Sequence, residues 1–294
     1  MRIMSLDQVE TGFFAPRKTI SHTPRSIRIV SWNIARGSRV DEIEEFLVGA
    51  DADLILLQEV DKHARRTGYR NIAELLAKRL KLNYAFGVEF QELAQGSRDA
   101  PAHHGQATFS RWPLAHSRVL RFARQSGYWR PRWWIPSLPH FQRRLGGRMA
   151  LLSEAMIGQT TFAVYNLHLE SRGGDKLRRA QLADVVNHTL GYSLHVPAMV
   201  AGDFNFDVSK SDSACLHETG LQNPFSDLRA PAARSRSFAR SNAIDWILTR
   251  GPLAPVSPRI WTSVWASDHY PRTLTLELRS VPPLHLPALG QEPL

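Results

Sequence analysis

Short apolar runs that each stop at a carboxylate, an amide or a histidine recur along this chain, and they constrain its fold more than any other feature. Residues 27–33 set Ile27 and Ile29 against Arg28, turn mostly apolar and stop at Asn33. Residues 54–57 are continuously apolar and deliver Gln58 and Glu59, as a central strand would. Met149–Ile157 and Thr160–His168 predict an antiparallel pair across Gly158 and Gln159, ending in His168. Val200, Ala201 and Gly202 lead into Asp203 and Asn205, Asp245 lies within the run 244–248, and Asp268 and His269 close a loop before the run 274–278. Further strands are predicted at 84–89, 107–110, 115–120 and 198–202. Helical spacing marks 41–48, the set Ile72, Leu75, Leu76 and Leu80, and 176–190. Hairpins mixed with helices predict an α/β (α+β) sandwich with mixed sheets rather than a doubly wound parallel sheet.

The 294 residues divide into an N-terminal arm at 1–25, a single domain at 26–280 and a proline-rich tail at 281–294. Nothing between arm and tail reads as a linker or a repeat. At 43% apolar residues a packed core is affordable, and wholesale disorder is excluded. The single cysteine, Cys215, leaves no internal disulfide and no thiolate metal cluster, which suits a reducing compartment. The first twenty residues hold no apolar signal core, and the one long charge-free run, between Asp184 and Asp203, contains His188, His195 and Pro197. A cytoplasmic protein without a transmembrane segment is expected.

Each polar strand end has a plain alternative as an ordinary turn residue. Together they are harder to dismiss, because Glu59, Asp203, Asp245 and Asp268 cannot gather in one site without a cation. Oxygen ligands select a hard ion, Mg²⁺ or Mn²⁺. With histidines nearby and a net charge of +10, this is equipment for chemistry at phosphorus. GxSxG, GxGxxG and Walker A loops are absent, and His168-Leu169-Glu170 lacks the CxxC of a zinc deaminase. His103 and His104 are read as a polar loop, and Arg172-Gly173-Gly174 as either a phosphate cradle or a glycine turn.

Six motifs then carry a resemblance. Ser31-Trp32-Asn33, Leu57-Gln58-Glu59-Val60, Asn166-Leu167-His168-Leu169-Glu170, Gly202-Asp203-Phe204-Asn205, Ile244-Asp245-Trp246-Ile247 and Ser267-Asp268-His269 stand in the order found in the endonuclease/exonuclease/phosphatase superfamily. The chain resembles that superfamily over about residues 27–278. The resemblance implies a four-layer α/β sandwich, two central mixed β-sheets flanked by helices, and a metal-dependent hydrolase acting on phosphoric esters. It also implies roles. Glu59, Asn33 and Asp268 would hold metal, and Asp203 would orient and deprotonate the attacking water. Asn205 would hold the phosphate or that water, His269 oriented by Asp245 would contact a phosphate oxygen, and His168 would be a second phosphate contact or an acid.

Substrate class rests on two basic stretches. Residues 121–148 hold seven arginines and no acidic residue, interleaved with aromatics including Trp133 and Trp134. Such a mixture suits stacked bases and phosphates, and equally a phospholipid interface, or a lid packed on the core. The second stretch includes Arg240, which with Arg172 is a candidate substrate contact. A nuclease or DNA-end phosphodiesterase is expected first. A phosphodiesterase acting on a phospholipid or a small phosphorylated molecule comes second, and a non-catalytic nucleic-acid or membrane-binding module third.

Overall fold

The computed structural model describes residues 6–16, 24–127, 134–209, 216, 218–228 and 243–279. In chain order the elements are β1 (Val9–Gly12), β2 (Ser26–Arg36), α1 (Val40–Ala50), β3 (Leu54–Lys62), α2 (Ile72–Leu80), β4 (Asn83–Glu92), β5 (Ala102–Ser110) and β6 (Leu114–Arg121). Then come β7 (Arg144–Gly146), β8 (Met149–Ile157), β9 (Thr160–His168), α3 (Asp175–Thr189), β10 (Ala198–Asp203), β11 (Asp245–Arg250), β12 (Leu253–Ile260) and β13 (Arg272–Leu278).

The strands form two sheets. The first runs β1-β4-β5-β3-β2-β13-β12, with β7 added beside β4, and the second runs β11-β10-β9-β8-β6. Both are mixed: β2 pairs parallel with β3 and β10 parallel with β9, while their other neighbours are antiparallel. The predicted sandwich of mixed sheets is the one observed.

Strand periodicity explains why the central runs are apolar throughout. Ile27 and Ile29 of β2 and Leu54 and Leu56 of β3 face the second sheet, whereas Val30, Trp32, Ile34, Ile55 and Leu57 face α1 and α2. Each fully buried large side chain contributes about 1.5–3 kcal/mol relative to exposure. On the far side α3 buries Leu182, Val185 and Val186 against the second sheet. α2 starts where the Asn71 side chain accepts the Glu74 N–H and ends at Lys81 in the left-handed conformation.

The two sheets are also tied by a buried polar link. Asn166 of β9 donates to the carbonyls of Leu57 and Ala107, at 3.1 and 3.0 Å, and accepts from Gln58 Nε2 at 2.8 Å. Two motif residues therefore set the spacing between the sheets instead of doing chemistry.

Two strands go unread in the sequence, and one pair of histidines needs correcting. The N-terminal arm contains β1, which pairs antiparallel with β4 and is anchored where Glu10 meets Lys62, Asn71 and Tyr84. β12 was unreadable because Pro255 and Pro258 break its pattern; both are tolerated on an edge strand. His103 and His104 lie buried in β5, not in a polar loop, and His104 Nδ1 is 2.8 Å from the Asp61 carboxylate.

Candidate active site

The second sheet supplies three polar groups in direct register. Asp203, the last residue of β10, pairs with His168 at the end of β9 and with Asp245 at the start of β11. Gly202 makes this possible. Its φ is +144°, and a Cβ there would lie 1.9 Å from the Leu167 carbonyl oxygen, so only glycine lets β10 sit this close to β9. Beyond the strand, Asp203 Oδ1 accepts the Asn205 N–H at 2.9 Å, and Asn205 Nδ2 donates to the Leu169 carbonyl at 3.1 Å. Asn205 itself is left-handed, with φ of 55°.

The first sheet brings its groups to the same end. Pairing register breaks between Asn33 and Arg36 on β2, and between Leu57 and Val60 on β3. At the second break Glu59 takes φ of 53°, an uncommon conformation for a residue with a side chain. Such a bulge re-aims one side chain out of the strand's alternation. Glu59 thereby comes within 3.4 Å of Asn33 Nδ2, which also donates to Asp203 Oδ2 at 3.1 Å. The loop before β13 is fastened by Ser267 Oγ donating to the Asn33 carbonyl at 2.7 Å and by Trp32 Nε1 donating to the His269 carbonyl at 2.9 Å. This sets His269 Nδ1 3.0 Å from both Asp245 oxygens and its Nε2 3.7 Å from Asp203 Oδ2.

The charges follow from these contacts. Burial disfavours the His269 cation, but Asp245 and Asp203 reverse that and raise its pKa to about 10. These carboxylates favour the protonated form of the His269 ring. Asp203 moves the other way, raised above the ordinary aspartate value by burial, which outweighs the pull of His269 and His168. Burial also pushes Glu59 up, yet His104, His168, Arg36 and His269 hold it well below the usual carboxylate range.

Two members of this ionic network were missed as such in the sequence. Glu89 of β4 is fully buried, and Arg148 Nη1 stands 3.2 Å from both its oxygens, 2.8 Å from His168 Nδ1, with Nη2 donating to Ser171 Oγ at 3.0 Å. His168 Nε2 lies 3.5 Å from Asp203, so Arg148 and Asp203 grip the ring from its two nitrogens. The one available signal for Glu89 was a carboxylate between Val88 and Phe90 in an otherwise apolar strand. Burial pushes Glu89 up, but Arg148 and then His168 bring its pKa down to about 2, against 4.5 unperturbed. The folded protein therefore binds fewer protons there than the unfolded chain, and the pair's stabilisation is full above about pH 4.5 and lost as pH falls toward 2. Urea midpoints should fall more steeply across this window for the natural chain than for a Glu89→Gln/Arg148→Met variant. Superimposable acid profiles would contradict the pairing.

Asp203, Asp245 and His269 present ligand atoms within 4.8 Å of one another, close enough to hold a metal ion. Asp268 is exposed beside them, near enough to add to the field on His269. A donor set dominated by carboxylates suits a hard cation.

A family model described as the Endonuclease/Exonuclease/phosphatase family matches residues 30–269. The chain belongs to that family. Members of the endonuclease/exonuclease/phosphatase family are hydrolases of phosphoester bonds, so this chain is an enzyme of that class. Solved structures agree on the fold. The endonuclease/exonuclease/phosphatase from Beutenbergia cavernae aligns with a TM-score of 0.63 at 18% identity, covering 87% of this chain and 72% of that one. The human Nocturnin catalytic domain, solved with a bound sulfate anion, gives 0.60 at 20%, covering 87% and 96%. Truncated TDP2 from Caenorhabditis elegans gives 0.59 at 17%, covering 86% and 98%. No curated protein sequence matches the chain.

Of the four candidate substrate contacts, the structure describes Arg172 and Trp134. Trp133 and Arg240 lie outside the described residues. Arg172 is exposed, its N–H held by the Glu170 carboxylate at 2.8 Å, and Trp134 is exposed in the segment before β7. The basic segment 121–148 is not a uniform phosphate-binding surface. Arg148 is spent on Glu89, Arg144 pairs with Glu92, and Arg121 donates to the carbonyls of Leu6, Val88, Glu89 and Gly147. Among the described residues, no helix is long and apolar enough to cross a membrane.

Proposed function

We propose that this protein is a divalent-metal-dependent phosphodiester hydrolase acting on nucleic acid, by in-line attack of water at phosphorus. The observation that carries the reading is the register row His168–Asp203–Asp245, with His269 closing on it from the other sheet. Asp203, its affinity for a proton raised by burial, accepts the proton of the attacking water. His269, kept cationic by Asp245, donates a hydrogen bond to a non-bridging phosphate oxygen and offsets the charge that develops there. His168 is a second contact to the phosphate, turned toward it by Arg148. Asn205 orients the water or the phosphate. Glu59, Asn33 and Asp268 would hold Mg²⁺ or Mn²⁺, which would neutralise phosphate charge and lower the pKa of water. A nucleic-acid substrate is favoured by the net charge of +10.

The test is a panel of single- and double-stranded DNA, RNA and generic phosphodiesters, with Mg²⁺ or Mn²⁺ and with chelator. Hydrolysis should require the added ion and fall by orders of magnitude in His269→Ala. Affinity for the nucleic acid should drop with salt, with a log–log slope of about −0.7 to −0.9 per phosphate contact. Hydrolysis that survives chelation, or nucleic acids left intact while a small phosphoester is cleaved, would overturn the reading.

A second reading rests on the exposed side chains Trp134, Leu138 and Phe141, at 65%, 52% and 60%. Exposed apolar side chains of this kind insert at a phospholipid interface. Recruitment to anionic vesicles, with hydrolysis of phospholipid headgroups but not nucleic acid, would select it.

A further inference from the structure

A buried polar cluster where β3 meets β5 has no part in the chemistry above. Asp61 of β3 stands opposite His104 of β5, one pair beyond the break in register that turns Glu59 out of its strand. Both side chains are buried, and His104 Nδ1 lies 2.8 Å from Asp61 Oδ1. Asp61 is itself held in a guanidinium fork, with Arg66 Nε and Nη2 donating to its two oxygens at 2.6 and 2.8 Å. Arg66 Nη2 also reaches Glu92 Oε1 at 3.2 Å, and Arg144 Nη2 meets the same oxygen at 2.8 Å. The carboxylate is therefore fixed, and it fixes the imidazole: Nδ1 carries the hydrogen, and Nε2 is the lone-pair nitrogen of the neutral ring.

That second nitrogen is idle. Among the described residues His104 Nε2 meets no donor or acceptor. The imidazole of His188, by contrast, is taken at both nitrogens, by Tyr165 Oη at 2.7 Å and by Arg118 Nη2 at 2.8 Å. The His104 ring also faces the ionic network. Of the charged groups around Glu59 it pulls hardest on the carboxylate, ahead of His168, Arg36 and His269, and it acts on Glu89 as well. With Nδ1 occupied by Asp61, Nε2 is the atom left to act there. An imidazole gripped by a carboxylate through one nitrogen, with the other nitrogen open beside a second carboxylate, is the arrangement of a metal-bound histidine.

We propose that His104 Nε2 is a metal ligand beside Glu59, and that this nitrogen makes the site prefer Mn²⁺ over Mg²⁺. The inference rests on the metal-dependent reading above and narrows its choice of ion. Mg²⁺ keeps several waters and is held through oxygen, whereas imidazole nitrogen suits first-row transition ions. Asp61 and Arg66 are then positioning residues, which set the angle of the ring without touching the ion.

The test is Mn²⁺ binding to the full chain without substrate, followed by electron paramagnetic resonance, with nitrogen couplings read from electron spin echo modulation. The native protein should show ¹⁴N modulation from a bound imidazole, and a His168→Ala/His269→Ala variant should keep it. His104→Asn should lose it, with the metal-free melting temperature unchanged. The asparagine amide can still donate to Asp61 from the place of Nδ1, but it puts nothing at the place of Nε2. Its Mn²⁺ affinity should fall by at least the roughly 10–100-fold that follows loss of a residue merely supporting a ligand. Its preference for Mn²⁺ over Mg²⁺, measured by competition, should shrink in step. The native spectrum alone can overturn the proposal: Mn²⁺ bound without nitrogen modulation removes His104 as a ligand and leaves the metal-dependent reading standing. Modulation that vanishes in the His168→Ala/His269→Ala variant, or persists in His104→Asn, would overturn it equally. A native chain that binds no Mn²⁺ would sink both.

Discussion

Asp203→Asn is expected to lower kcat by about 10²–10⁴-fold, the range for loss of a positioned general base. The amide keeps the size of the carboxylate and its Oδ1 can still accept the Asn205 N–H, so the turn after β10 survives. What disappears is the one carboxylate held between Asn33, His168 and His269. Stability should move the opposite way. Burial raises the Asp203 pKa, so carrying the ionised form at neutral pH destabilises the folded protein, and removing that charge should raise the metal-free melting temperature. Single-turnover rates on a cleavable phosphodiester, read beside thermal melts, measure both effects. A variant that stays within tenfold of the natural rate would remove Asp203 from the base role.

Arg148→Met should cost about 3–5 kcal/mol of folding stability, because it leaves the wholly buried Glu89 carboxylate without its partner. Ser171 and His168 lose a donor in the same step. Adding Glu89→Gln should restore much of the loss, since the orphaned charge rather than the missing contact dominates it. Urea unfolding of the two single variants and the double variant closes a thermodynamic cycle. A single-variant loss under about 1 kcal/mol, or strictly additive effects, would mean that the pair is screened and structurally incidental.

How legible these features were depended on where their partners come from. The motif residues could be read because each ends an apolar run, and a polar group after a buried strand is conspicuous in one dimension. Asn166 and Gln58 were visible too, but their work was not: both contact the opposite sheet, across 108 residues of sequence. Arg148 was counted with its basic neighbours, and nothing local separates an arginine bound to Glu89 from one aimed at phosphate. His104 looked like a loop residue because its partner, Asp61, is 43 residues away on the next strand. β1 and β12 were missed for a related reason, being short or proline-containing edge strands whose pairing comes from a neighbour and not from their own pattern.

By itself the sequence determined the sandwich of mixed sheets and the set of polar strand ends, because strand alternation and burial on both faces are imprinted residue by residue. The tertiary structure decided which of those ends meet, which arginines are internal counter-ions, and that Asp245 and Asp203 raise the pKa of His269 while burial raises that of Asp203. Those properties depend on distance and desolvation between groups far apart in the chain, and both are settled only when the two sheets close on each other.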